Sequence, residues 1–264
     1  MGNANDGSCA GNAAVNPDDG LVYLAYSDPG STSIATVDPK TGVFSLIART
    51  FGAYSMPGFT ITKDGNAFFF SGPQLNSLDL STASATAVGT GLGVSPDVMG
   101  YNRIDDKVYA FSWDSGTSTF LAYAVNTSTG VATADSAHNI TMANYSYNGN
   151  TGYNLNSVES MTFDGNGNPW FVGDNFQAEL MVADFATGSA TFVGEITNAT
   201  IRTSAPHAFH TQSIFIVAAT PRSSALPDTG SRAIALVSTG TIAAGLLAAG
   251  AIALIIVRRR KTTT

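Results

Sequence analysis

Apolar and polar positions along this chain alternate in short bursts separated by turn-forming clusters. Asn16-Pro17-Asp18-Asp19-Gly20 leads into Leu21-Val22-Tyr23-Leu24-Ala25-Tyr26, and Thr62-Lys63-Asp64-Gly65 leads into residues 66–70. Asp105-Asp106-Lys107 precedes Val108-Tyr109-Ala110-Phe111, and Asp164-Gly165-Asn166-Gly167-Asn168 precedes Pro169-Trp170-Phe171-Val172. Each is a tight turn feeding a β-branched or aromatic strand. A second pattern follows further along each stretch. Ile34-Ala35-Thr36-Val37-Asp38 runs into Pro39-Lys40-Thr41-Gly42 and then a strand over 43–48. Its counterparts are Leu78-Asp79-Leu80-Ser81-Thr82, Ala124-Val125-Asn126-Thr127 with Thr129-Gly130, and Val182-Ala183-Asp184-Phe185 with Thr187-Gly188. After the last of these comes another strand, Thr191-Phe192-Val193-Gly194.

One unit is therefore four short strands. The leading turns start at Asp19, Asp64, Asp105 and Asp164, at spacings of 45, 41 and 59 residues. A single unit of this size cannot bury both faces of its sheet, so the units must stack on one another. The expected fold is all-β: a β-propeller over residues 13–220, with about four four-stranded blades and part of a fifth. A β-sandwich built from the same strands is the alternative. The pattern of an Asp-Gly turn, a strand and then a DP-x-TG turn resembles the loosely defined YVTN- or NHL-like propeller repeats of bacterial surface proteins. The fifth unit begins near Ala208 and supplies one strand, 213–218; its third and fourth strands are missing. The longest spacing reflects an insertion over 135–156, rich in Asn and carrying Tyr145, Tyr147 and Tyr153. Long loops in compact domains are disproportionately functional, and tyrosine offers a flat apolar face with a hydroxyl. These three tyrosines are the candidates for contact with a glycan or protein ligand.

The last forty residues follow a different pattern. Residues 233–257 are a 25-residue uncharged apolar run, followed by Arg258, Arg259, Arg260 and Lys261. At a helical rise of about 1.5 Å per residue, such a run crosses a hydrocarbon core of roughly 30 Å with some tilt. The basic cluster behind it favours the cytoplasmic side, which places the preceding chain outside. Ahead of the run stands Leu226-Pro227-Asp228-Thr229-Gly230, separated from the repeats by a short linker over 221–225. The order of pentapeptide, apolar span and basic tail (226–264) resembles the sorting signal of LPXTG surface proteins of Gram-positive bacteria. That resemblance implies recognition of Leu226, Pro227, Asp228, Thr229 and Gly230 by a sortase. It further implies cleavage between Thr229 and Gly230, and linkage of Thr229 to peptidoglycan. The membrane is then a transient partner and the cell wall the destination. The linker reaches only about 20 Å at roughly 3.3 Å per residue, so the body is expected to sit close to its anchor.

Charge sharpens this picture. The chain carries a net −7, but five of its 12 Lys and Arg follow Gly230 while all 19 Asp and Glu precede it. The part ahead of the predicted cut thus holds seven cations against nineteen anions, a net −12. Such a surface repels nucleic acid and anionic lipid. Hydrophobic content of 44% with only 12% charged residues and 27 Gly fits many short strands and turns. The lone Cys9 allows no internal disulfide. Residues 1–12 are polar and lack the h-region of a leader, so a true N-terminus further upstream, with additional blades, is expected.

Motifs for chemistry are sparse, and the expected protein is a binder without cofactor or metal. Asp164-Gly165-Asn166-Gly167-Asn168 has the opening of a calcium loop, but the continuation puts Trp170 and Phe171 inside it and Asn175 where a bidentate Glu belongs, so a turn is expected. His207 and His210 stand three apart in a stretch that reads as extended, which points their side chains to opposite faces; His138 lies elsewhere. Ser112-Trp113-Asp114-Ser115-Gly116 partly resembles the structural turn of sialidase-type propellers. A sialidase would require an arginine cluster, and the part before the cut has only Arg49, Arg103, Arg202 and Arg222. Glu159, Glu179 and Glu195 are too scattered to nominate a glycosidase pair. The rival readings are a propeller-type surface hydrolase and an inert wall-associated domain.

Overall fold

In the computed structural model of the protein, the described residues are 11–28, 31–51, 56, 58–142, 146–147, 150–151, 157–174, 178–195, 234–236 and 253–255. They form an all-β fold of four antiparallel meanders. The first is β1 (Gly11–Val15), β2 (Val22–Asp28), β3 (Ser31–Val37) and β4 (Phe44–Phe51), paired in that order. The second is β5 (Thr60–Ile61), β6 (Ala67–Ser71), β7 (Gln74–Asp79) and β8 (Ser84–Ala87). The third is β9 (Val98–Asn102), β10 (Lys107–Asp114), β11 (Thr119–Asn126) and β12 (Val131–Ala134). After a 3-10 turn, η1 (Ser136–His138), come β13 (Ile140–Thr141) and the hairpin β14 (Ser146–Tyr147)–β15 (Asn150–Thr151). The fourth meander is β16 (Ser157–Phe163), β17 (Pro169–Asp174), β18 (Ala178–Asp184) and β19 (Ser189–Glu195).

The sheets follow one another in chain order. β1 lies beside β5, β5 beside β9, and β9 beside β16. Alternation along each strand explains the stacking, because each sheet offers an apolar face to the next. Ala14, Ala25 and Ile34 of the first meander meet Met56, Phe59, Ile61, Phe69 and Leu78 of the second. On its other face the second gives Phe68, Phe70 and Leu75 to Met99, Val108 and Ala110 of the third. The largest cluster lies between the third and fourth meanders and is aromatic. Phe120 and Phe171 stack with centroids 5.2 Å apart at 7°, and Phe111 meets Phe171 edge-on at 5.7 Å. Each such ring, fully buried, contributes on the order of 2–3 kcal/mol from area alone.

The 135–156 insertion is only in part a loop. Within it, Ile140 and Met142 reach the core and Ile140–Thr141 form a strand. β13 pairs antiparallel with the first residues of β11 (Phe120 opposite Ile140) and parallel with β19 (Thr141 opposite Ser189). β12 meanwhile takes the second half of β11. The third and fourth meanders are thereby one nine-stranded, near-closed, barrel-like sheet, with β9 against β16 at its other side. The physical reason is burial: Ile140 and Met142 are at 0% and 1% exposure inside the aromatic cluster.

Of the apolar run 233–257, only β20 (Ile234–Leu236) and β21 (Ala253–Ile255) are described, and they pair antiparallel rather than lying in one helix. Among the described residues no helix is long and apolar enough to cross a membrane. Pairing is one way for so apolar a chain to satisfy its backbone in water. An isolated pair of strands is marginal there, and its open edges are not tolerated in a bilayer. The expected strand over 213–218, the linker 221–225 and the pentapeptide 226–230 lie outside the described residues.

Candidate functional site

In an up-down meander the first-to-second and third-to-fourth turns fall at the same end of the sheet. Here that end carries most of the described acidic side chains. The third-to-fourth turns share one construction. The Asp38 carboxylate accepts from Lys40 N–H (2.8 Å) and the Thr41 hydroxyl (2.9 Å), while Gly42 N–H returns to Asp38 O (2.8 Å). Asp79 accepts from Ser81 N–H and its hydroxyl, and Ala83 N–H closes the turn. Asn126 Oδ1 accepts from Ser128 and Thr129 N–H, Asp184 Oδ1 from Ala186 and Thr187 N–H, with Gly130 and Gly188 closing. Asp and Asn suit the first position because a short side-chain oxygen reaches the backbone two residues on. Glycine suits the last because φ there is positive (+73° at Gly42, +67° at Gly188).

The first-to-second turns form a contiguous band across the units. A Cβ on Gly65 would sit 3.4 Å from Asp18 Oδ2 of the preceding unit, and one on Gly167 3.0 Å from Asn102 Oδ1. Between the second and third units, the Lys63 ammonium donates to Asp106 Oδ2 as a half-exposed ion pair. Tyr101 donates to the other Asp106 oxygen at 2.6 Å, Tyr109 to Asp105 at 2.6 Å, and Tyr23 to Asp19 at 2.9 Å. Lys63, then Tyr101, holds the Asp106 carboxyl below the usual range, and Asp106 in turn raises Lys63. Burial, followed by the bond to Asp106, pushes Tyr101 up to about 12; burial and Asp105 raise Tyr109 in the same way. Beside Tyr109, His138 stacks on Phe185 at 4.3 Å. Its Nδ1 is 2.9 Å from Asp135 Oδ2, within ion-pair range but not aligned as a hydrogen bond. The band is thus a rim of carboxylates and phenols, able to accept hydrogen bonds from hydroxyls or cations and poorly suited to anions.

Other expected positions fall as follows. Asp164 accepts from Asn166 N–H (2.8 Å), Asn168 N–H (3.0 Å) and Trp170 Nε1 (3.3 Å), the arrangement of a turn that braces its strand. Asp114 accepts from Gly116 N–H and the Thr117 hydroxyl, so the sialidase-like stretch is likewise a structural turn. Among the described residues no three His, Cys, Asp or Glu are grouped to hold a metal. Glu179 and Glu195, scattered in sequence, are cross-strand partners on β18 and β19. Tyr147 lies in β14, opposite Asn150; Tyr145, Tyr153, His207, His210 and Leu226–Gly230 lie outside the described residues. The Lys63–Asp106–Tyr101 contact escaped sequence reasoning, because it joins residues 43 apart in the chain.

The fold and this rim define an all-β protein of stacked four-stranded antiparallel sheets, compatible with a repeat, propeller-like architecture. No protein-family model matches the chain, and no curated protein does. Among solved structures it is similar to a chain of a nidogen–laminin complex (15% identity, TM-score 0.40, covering 67% of this chain). It is also similar to a Bacteroides thetaiotaomicron protein of unknown function (14%, 0.48, 84%) and to the C-terminal WD40 domain of Sif2 (12%, 0.38, 71%). The chain spans 61%, 55% and 61% of the lengths of those three chains.

Proposed function

We propose that the chain is a surface protein of a Gram-positive bacterium, joined to peptidoglycan by sortase through Thr229 and displaying a β-propeller that binds a glycan or protein ligand. The observation that carries this reading is the order of Leu226-Pro227-Asp228-Thr229-Gly230, the apolar run 233–257 and the basic residues 258–261. The run acts as a single membrane helix until the cut, in which all backbone groups are satisfied internally. The all-β body agrees with a surface or adhesion-type domain at a coarse level. Its role here is binding without turnover, with the cell wall as its location. Tyr145, Tyr147 and Tyr153 supply the ligand face.

The test is fractionation of cells expressing the native chain or Thr229→Ala, with and without an active sortase. Native protein is expected in the muramidase-soluble wall fraction, and the variant in the membrane fraction. Equal wall association of both chains in cells lacking sortase would refute the anchoring. A glycan array probed with the domain, native and with the three tyrosines replaced by alanine, tests the ligand face; binding unchanged by the triple replacement would remove these residues from it.

A further inference from the structure

His138 lies in the seam between the third and fourth meanders. It closes η1, two residues before the strand β13 that joins them. Its ring touches both meanders. It stacks on Phe185 of the β18–β19 turn, centroids 4.3 Å apart at 25°, and meets Tyr109 of β10 edge-on at 5.6 Å and 63°. Phe163 of β16 packs against the same two residues, 5.3 Å from Phe185 and 5.9 Å from Tyr109.

Carboxylates stand on every element packed around this ring. Asp135, in the same turn, places Oδ2 2.9 Å from His138 Nδ1. Asp105, on the β9–β10 turn, accepts from the Tyr109 hydroxyl at 2.6 Å. Asp184 precedes Phe185 and accepts from Ala186 and Thr187 N–H, and Asp164 follows Phe163 and holds Trp170 Nε1. Burial first, then Asp105 and Asp135, keep the proton on Tyr109, so the phenol brings no charge of its own. Lys107, which opens β10 two residues before Tyr109, is exposed.

We propose that His138 is a proton-operated clamp on this seam: its imidazolium ties the turn before β13 to Asp135 and Phe185, and loss of the proton loosens β13 from its neighbours. Imidazole ordinarily changes charge between pH 5 and 8. With both nitrogens protonated, the 2.9 Å approach to Asp135 becomes charge-assisted. The cation then also lies over the Phe185 face, inside the roughly 6 Å at which a ring quadrupole attracts it. With Nδ1 bare, a lone pair faces a carboxylate instead. Partial burial opposes the charge, but the side chain is 30% exposed, so water serves one part of the ring while Asp135 serves the other. In the unfolded chain the ring is held against neither partner, so proton binding and seam closure favour each other. The contribution is therefore present at the acid end of the imidazole range and lost as pH rises through it. None of this depends on the sorting signal or on the ligand face.

The test is denaturant unfolding of the native chain and His138→Gln at intervals between about pH 8 and 5.5. His207 and His210 are common to both chains, so the difference between the two curves reports His138. Native protein is expected to gain on the variant as pH falls, by roughly two- to fivefold in the folding equilibrium from the cation–π contact alone. Hydrogen exchange at Ile140 and Thr141, corrected for the intrinsic rate, should slow in the native chain over the same interval. Asp135→Asn keeps the imidazole and the backbone bond from His138 N–H to Asp135 O, and should show a smaller acid gain than native. A difference between native and His138→Gln that stays constant or shrinks on acidification would overturn the clamp. So would an acid gain in Asp135→Asn equal to the native one, a comparison that decides the matter alone if His138→Gln does not fold.

Discussion

Asp79, Asp114 and Asp106 each lie below the ordinary carboxylate value of 3.8 because hydroxyls, backbone N–H groups or an ammonium surround them. A depressed folded-state value means stability that is present above the ordinary value and lost as pH falls through the lowered one. Thermal melts taken downward from pH 7 are therefore expected to fall off below about 3.8, and Asp79→Asn with Asp114→Asn should flatten that decline. An unchanged slope would show that these turns do not set the acid response. Tyr101 behaves with the opposite sense: its proton is held up to about 12, so stability is lost as pH rises from 10.0 through that value. Tyr101→Phe should reduce the alkaline loss. Gly188 is a tight steric point, since φ is +67° and an added Cβ would lie 2.3 Å from Asn139 O. Gly188→Ala is expected to cost roughly 1–3 kcal/mol in denaturant unfolding, whereas Gly20→Ala, with open space around it, should cost less.

Between elements, β13 is the piece that turns two meanders into one sheet. Asn139 Oδ1 accepts from Ala122 N–H at 2.9 Å, and Thr141 N–H donates to Gly188 O at 2.8 Å. Ile140→Ala should therefore lower stability by about 2–5 kcal/mol, measured from the denaturant midpoint, as expected for a fully buried aliphatic side chain. A loss of a few tenths would show that β13 is an ornament on the sheet edge. This strand also marks the boundary of what could be read from the sequence. The turns were legible because Asp or Asn at the start and a positive-φ Gly at the end have few other uses. β13 was not, because Ile140 and Met142 are two apolar residues in an Asn- and Thr-rich stretch, too few to show a period. The Lys63–Asp106 pair spans 43 residues and exists only because successive turns meet. Glu179 and Glu195 come together through a register with a shift between Leu180 and Met181, which composition does not reveal.

At the scale of the whole molecule, stacked meanders carry an acidic rim, to which the proposed sorting signal would add a C-terminal address. Seven cations against nineteen anions ahead of Gly230 disfavour anionic lipid and nucleic acid, and on the proposed anchoring the basic residues behind it would hold the tail at the cytoplasmic face. The central claim is the covalent link at Thr229, and mass spectrometry of the protein released from walls by muramidase tests it most directly. The account predicts a C-terminal peptide that ends at Thr229 and carries a peptidoglycan amine. Recovery of that protein with residues beyond Gly230 intact, from cells whose sortase is active, would contradict it.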